Sequence, residues 1–315
     1  MSDRFDLLVL GDGNPDLILM GGVEATFGQV ERLVDDARLT VGGSGAIIAC
    51  GAARLGLRVA FSGVIGDDPF GRFLRDELVA RGVDVGGLIV DTGRPTGVTV
   101  VLARVDDRAI LTHTGTIGDL GVDRIDPALL DDARHVHVSS FFLQRRLAGR
   151  LPALFADARA RGATTSLDPN WDPSERWDGG LRDVLPVTDV FLPNANEAQR
   201  IAGKDRLEEA VTELASEAQL VVAKAGADGA VAATSDRIVR VPSAPVEVVD
   251  TTGSGDSFDA GFLASWLAGD PLERSLAIAN ACGALAARAL GGVDAQPTMD
   301  EVLAVVGGGV SPPAT

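Results

Sequence analysis

Short apolar runs alternate with helix-like segments along most of this 315-residue chain, and that rhythm restricts its fold more than any other feature. From His135 onward the spacing predicts strand His135–Ser139, helix Leu147–Arg161, strand Thr164–Leu167, strand Val190–Pro193 and helix Asn196–Ala202. Helix Leu207–Ala218 and strands Leu220–Lys224, Ala230–Ala233 and Ile238–Pro242 follow, and helices Ser254–Ala268, Leu272–Leu290 and Met299–Val306 close the chain. Upstream, Leu7–Gly11 reads as a buried strand and Gly42–Leu55 as a glycine-opened helix. Val59–Ile65 reads as a strand, and Pro69–Arg81 as a helix with proline in its first turn. Strands alternating with helices argue for a three-layer α/β/α fold with a mostly parallel sheet covered on both faces.

Two excursions break the rhythm. Leu17–Met20, Val23–Val30 and Leu39–Val41 read as strands with no helix between them. So do Val98–Arg104 and Arg108–Thr114, a hairpin across Val105-Asp106-Asp107. The expectation is one domain over residues 1–315, with a small antiparallel β lid built from about 17–41 and 98–114. An apolar face on that lid is the expected surface for a homodimer.

Composition narrows the function. The chain is 46% hydrophobic, enough for a substantial core, and its net charge of −17 is spread along its length. No basic stripe is visible, so nucleic acid and anionic membranes are excluded as partners. Cys50 and Cys282 sit among small apolar residues and are expected as reduced thiols; with His113, His135 and His137 they make no zinc spacing. The N-terminal residues carry no apolar leader, and no apolar run reaches membrane-span length, so a cytoplasmic setting is expected.

The strongest chemical signal is Val248-Val249-Asp250-Thr251-Thr252-Gly253-Ser254-Gly255-Asp256-Ser257-Phe258. A strand-like stretch runs into glycines and then into a helical pattern, so backbone N–H groups turn toward one point at the positive helix end. That geometry stabilises an anion whose charge grows during reaction. An aspartate there suits a base that accepts a proton from an attacking hydroxyl.

This string resembles the C-terminal signature of the ribokinase-like (PfkB) carbohydrate and nucleoside kinases, Asp-Thr-x-Gly-Ala-Gly-Asp, with Ser254 in place of alanine. Gly42-Gly43-Ser44-Gly45-Ala46, Ala52-Ala53-Arg54-Leu55-Gly56 and Gly63-Val64-Ile65-Gly66-Asp67-Asp68-Pro69-Phe70-Gly71 resemble the family's N-terminal signature. The matches run from about Asp6 to about Val305. No Walker-type glycine loop and no Gly-x-Gly-x-x-Gly after a strand occurs, which disfavours other nucleotide folds.

The resemblance implies a ribokinase-like fold, a kinase using ATP and Mg2+, and the following roles. Asp256 is the base, with the N–H groups of Gly253, Ser254 and Gly255 as the anion hole. Asn194 and Glu197, matching Asn-x-x-Glu, would position Mg2+ through water; read from the residues alone, this segment serves equally to start a helix. Lys224, Gly226 and Gly229 would line the ATP site, joined by Asn280. Asp250 and Thr252 match groups that hold a monovalent cation such as K+ in relatives; otherwise Asp250 only hydrogen-bonds the glycine loop.

On the acceptor side Asp16, Asn14, Gly42 and Gly43 match sugar contacts, and Asn170 and His113 are further candidates. Two departures stand out. Ile47 occupies a position that is commonly asparagine, and Thr114-Gly115-Thr116-Ile117 ends in isoleucine where many sugar kinases are polar. Asp168-Pro169-Asn170-Trp171 resembles fructokinase and ketodeoxygluconate-kinase branches, but Asp172 replaces their arginine, which argues against an acidic acceptor. Trp171 and Trp177 are expected to pack rather than stack on ligand. The resulting expectation is phosphorylation of a primary hydroxyl of a small sugar. A nucleoside kinase of the same fold, and a non-catalytic sugar or nucleotide sensor, are the alternatives.

Overall fold

The computed structural model describes residues 4–104, 108–243 and 245–308; the Val105-Asp106-Asp107 turn lies outside them. The first half comprises β1 (Leu7–Leu10), β2 (Asn14–Met20), β3 (Asp36–Gly42), α1 (Ser44–Arg54), β4 (Val59–Ser62), β5 (Val64–Gly66) and α2 (Pro69–Ala80). It continues with β6 (Ile89–Asp91), β7 (Val98–Ala103), β8 (Arg108–His113), α3 (Pro127–Asp132), β9 (His135–Val138) and α4 (Leu151–Ala160). Then come β10 (Thr164–Leu167), α5 (Leu181–Val184), β11 (Val190–Phe191), α6 (Ala195–Ala202), α7 (Leu207–Leu214) and β12 (Leu220–Lys224). The chain finishes with β13 (Ala230–Ala233), β14 (Ile238–Val241), α8 (Ser254–Leu267), α9 (Leu272–Ala286) and α10 (Met299–Gly308).

The main sheet has eight strands in the order β14-β13-β12-β11-β10-β9-β1-β4. Its pairs are parallel from β4 to β12, and β13 and β14 add as antiparallel strands. Alternation along β1 shows why helices must cover both faces. Leu7 and Val9 join one buried cluster with α1, α8 and α9, while Leu8 and Leu10 join another with α4 and α7. Local signals fix several helix starts. Asp68 accepts the Gly71 N–H at 2.8 Å ahead of Pro69 in α2, and Asn194 with Glu197 forms a capping box on α6. Cys50 and Cys282 are free and buried, which pushes both thiols up to about 12.

A second, four-stranded sheet runs β3-β2-β7-β8. The two excursions do pair with each other, but their junction, β2 with β7, is parallel, and only the outer pairs are antiparallel. Residues 23–30 form no strand. Gly21 and Gly22 precede them and Gly28 interrupts them, Phe27 is 98% exposed, and no neighbouring strand takes up their backbone groups. The expected strand 59–65 also divides. At Gly63, where a side chain would strike the Gly11 carbonyl, β4 stays in the main sheet while β5 leaves to pair with β6. The expected helix 147–161 starts only at Leu151, and 272–290 ends at Ala286, because Ala287 O accepts the N–H groups of Val249 and Asp250. Outer strand β8 is exposed along its whole length, Ile110 and Leu111 included.

Candidate active site

In open α/β sheets the carboxyl ends of parallel strands face a common crevice. Here β1 leads to Asp12 and Asn14, β9 to Ser139, β10 to Asp168, β11 to Asn194, and β12 ends at Lys224. Sequence candidates scattered over more than 200 positions thus converge at one edge.

Gly253 takes φ 69°, a left-handed value that glycine adopts freely, and it abuts Gly292, where a side chain on either would clash. This tight turn opens α8, whose first N–H groups have no partners within the helix. Ser254 N–H closes the turn onto Thr251 O at 3.2 Å, while the Gly253 and Gly255 N–H groups have no backbone partner among the described residues. Asp256 lies in the same first turn, partly exposed, and its carboxylate accepts the Ser44 hydroxyl at 2.5 Å. That bond joins the glycine loop to Gly42-Gly43-Ser44. Burial raises the Asp256 pKa to about 7 despite the Ser44 bond, with Asp168 adding repulsion.

Beneath Asp256 lies a charge cluster that the motifs did not foretell. Lys224 Nζ donates to Asp168 at 3.0 Å and to Asp259 at 2.9 and 3.1 Å. Burial opposes charge on all three. Against it, Lys224 draws Asp168 below the usual carboxylate range, whereas fully buried Asp259 is pushed well above it. The two acids keep the ammonium protonated. Lys224 therefore lines an adjoining cavity while its charge is held by the two acids. The available signal was helical spacing: Asp259 stands three residues after Asp256, on one face of α8.

Next to Gly42, Asn14 Nδ2 donates to Asp16 at 2.9 Å and Thr99 Oγ1 at 3.2 Å. Asp16 is 7% exposed, and burial lifts its pKa to about 7 against those hydrogen bonds. Its carboxylate lies against Gly42, where a Cβ would overlap it, so glycine is required there. Buried Asp12, another residue the motifs missed, accepts the Ser44 and Gly45 N–H groups at 3.1 and 3.3 Å and the Ser139 hydroxyl at 3.2 Å. Ile47 is buried in the core: it packs on Gly292, and its carbonyl accepts Gln296 Nε2. His113 is exposed at the end of β8, with no hydrogen bond to this group among the described residues. Asn170 donates to Ser140 Oγ at 3.2 Å, and both residues hold left-handed backbone, φ 53° and 52°. Such strain persists only where surroundings over-determine it. Trp171 and Trp177 pack edge to face, centroids 4.9 Å apart.

A cavity of about 430 Å3 brings together Lys224, Gly226, Gly229, Asn280, Ser254 and Gly255. Asn280 also donates to Val241 O at 2.9 Å, fixing the cavity's rim. For a divalent ion the donor set is sparse. Asn194 Oδ1 accepts the Glu197 N–H and Glu197 Oε2 accepts the Asn194 N–H. That leaves Glu197 Oε1, on a carboxylate that burial and Asp168 raise to about 7. No cluster of three metal-ligating side chains exists among the described residues. This fits Mg2+, which keeps its waters and leans on substrate phosphates. The monovalent-cation candidate differs. Asp250 accepts Gly291 and Thr252 N–H groups, and Arg108 from β8 donates to Asp250 Oδ1 at 2.8 Å and to Thr252 Oγ1 at 2.5 Å. A guanidinium already occupies that carboxylate.

The comparisons with known proteins agree with this geometry. A sequence profile described as pfkB family carbohydrate kinase matches residues 5–299. The ATP-dependent ribose-1-phosphate kinase of Halopiger xanaduensis is 35% identical over 276 residues, covering 87% of this chain and 89% of the relative. An E. coli protein described as a ribokinase II, solved with ATP and Mg2+, superposes with TM-score 0.84 at 26% identity, covering 96% of this chain and 99% of its own. A double mutant of Vibrio cholerae fructokinase, solved with fructose, ADP and a potassium ion, gives TM-score 0.82 at 28% identity, covering 97% and 100%. With the glycine loop, the Gly42–Ser44 loop bonded to it and the strand-end crevice all in place, the chain belongs to the pfkB family of carbohydrate kinases.

Proposed function

We propose that this protein transfers the γ-phosphoryl group of ATP to a primary hydroxyl of a small sugar, with Asp256 as general base. One observation carries the reading: Asp256, poised near neutrality, stands between the 430 Å3 cavity and the Gly42–Ser44 loop. The hydroxyl oxygen attacks the γ-phosphorus as its proton passes to Asp256. A new P–O bond forms to the sugar, the bond to the β-phosphate oxygen breaks, and ADP leaves. Gly253 and Gly255 N–H groups stabilise the charge on the transferring group. The structures solved with fructose or with ATP and Mg2+ support this assignment of substrates. Ile47 packing into the interior removes one argument for a nucleoside acceptor. A panel of sugars and nucleosides read by ADP release tests the acceptor class, and saturation by nucleosides alone would reverse it.

Mg2+ would bridge the nucleotide phosphates and offset their charge, with Glu197 holding it through water. Glu197→Gln preserves the helix cap but weakens that hold, so half-maximal turnover should need about tenfold more Mg2+. An unchanged Mg2+ requirement would remove Glu197 from this role.

The small sheet acts as a lid over the acceptor, tied to the glycine loop through Arg108 and Asp250. Arg108 thereby supplies from within the chain the positive charge that K+ was expected to bring. Wild-type turnover should respond weakly to KCl, while Arg108→Ala should become K+-responsive. Equal responses in both would show that Arg108 does not serve this purpose.

A further inference from the structure

A second cavity, of about 550 Å3, is lined by segments that follow the ends of β8, β9 and β10. Two of its walls continue directly from the strand ends that carry the site. Phe141 follows two residues after Ser139, whose hydroxyl is bonded to Asp12, and Asp172 follows four residues after Asp168. Thr114 and Ile117 form a third wall.

Arg145 and Arg176 line this cavity, and neither guanidinium has an ion pair or hydrogen bond among the described residues. Both are exposed, and Arg146, Arg150 and Arg200 likewise have no such partner, whereas Arg94, Arg108, Arg124 and Arg134 reach a carboxylate. The cavity's own carboxylates do not neutralise them. Asp172 turns onto its loop, accepting from Ser174 N and Oγ, Arg176 N and Trp177 N, while Asp178 accepts the Gly179 N–H. The Asp172 bonds hold the loop that presents Arg176, and the residues on either side of it, Glu175 and Trp177, have φ 54° and 58°. Much of the remaining lining is apolar, including Ile117, Phe141 and Leu143. Two unpartnered guanidinium forks beside apolar walls suit an oxyanion.

We propose that this cavity binds an anionic group, phosphate or carboxylate, carried by the acceptor at the end away from the reacting hydroxyl, with Arg145 and Arg176 as its donors. The inference rests on the kinase reading above. The arginine that Asp172 replaces in the sequence is thus supplied from two other positions.

The test compares kcat/KM for ribose against ribose 1-phosphate and for fructose against fructose 1-phosphate, with gluconate as the carboxylate arm. The full chain and Arg145→Ala/Arg176→Ala are assayed side by side. Wild type should favour an anionic acceptor by about tenfold to a hundredfold. The double variant should lose that preference through KM, with kcat and neutral-sugar activity little changed. Preference confined to the phosphorylated sugars assigns phosphate; preference confined to gluconate assigns carboxylate. Calorimetric titration with ribose 1-phosphate and gluconate, without ATP, provides a readout independent of turnover. A preference for neutral sugars, or wild-type anion preference or affinity surviving in the double variant, overturns the proposal while leaving the role of Asp256 intact.

Discussion

Asp256→Asn should lower turnover by about 10²- to 10⁴-fold while nucleotide binding stays close to wild type, because the amide keeps the shape but cannot accept the proton. The same change should raise the melting temperature of the free protein. A carboxyl whose pKa rises from 3.8 unfolded to about 7 folded favours folding fully at acid pH. That contribution is lost as pH climbs between the two values, so above about pH 7 the ionised group burdens the native state. Asparagine has no such burden. Lost turnover with raised stability separates a removed base from a damaged fold. Unchanged turnover, read by ADP release, would sink the assignment.

Lys224→Met should produce the largest loss of stability. Lys224, Asp168 and Asp259 have side-chain exposures of 11, 6 and 0%. Removing the cation leaves two buried acids facing each other, and breaking a buried pair this way costs about 3–5 kcal/mol. For a chain of this size that lowers the melting temperature by roughly 10 °C. The loss should deepen as pH rises, since both acids must bind protons to stay buried without their counter-charge. Adding Asp259→Asn should recover part of it, giving a coupling energy in the double-mutant cycle. Additive effects, or a Lys224→Met protein as stable as wild type by thermal melt, would show that the cluster does not act as a unit.

How far the chain could be read in advance depended on the range of the interaction concerned. Strands Thr164–Leu167, Leu220–Lys224 and Ala230–Ala233 were legible because each is a short run between turn signals, with every apolar residue facing a core. The glycine loop before Asp256 was legible because its chemistry is local. Residues 23–30 misled because β-favouring residues do not make a strand without a partner. The break at Gly63 depends on how close Gly11 comes in space.

Site residues follow the same rule. Asn194 and Glu197 announce their capping box within four residues, whereas Lys224 meets Asp168 across 56 positions and Arg108 meets Asp250 across 142. Arg145 and Arg176 carry no motif at all; only the cavity walls bring them together. The local turns and caps were therefore more legible than their electrostatic setting, and the cavity walls least of all.

The central claim is that a carboxylate at the α8 N-terminus, held near neutrality, takes the acceptor's proton. The pH dependence of kcat/KM for a competent sugar tests it most directly, because that ratio reports ionisations of the free enzyme. Wild type should rise about tenfold per pH unit below neutrality and level off above about pH 7, as Asp256 loses its proton. Glu197 and Asp16 titrate in the same range, so Glu197→Gln and Asp16→Asn should each retain that limb. A profile flat from pH 5 to pH 8, or a limb that vanishes in Glu197→Gln or in Asp16→Asn, would contradict Asp256 as the base.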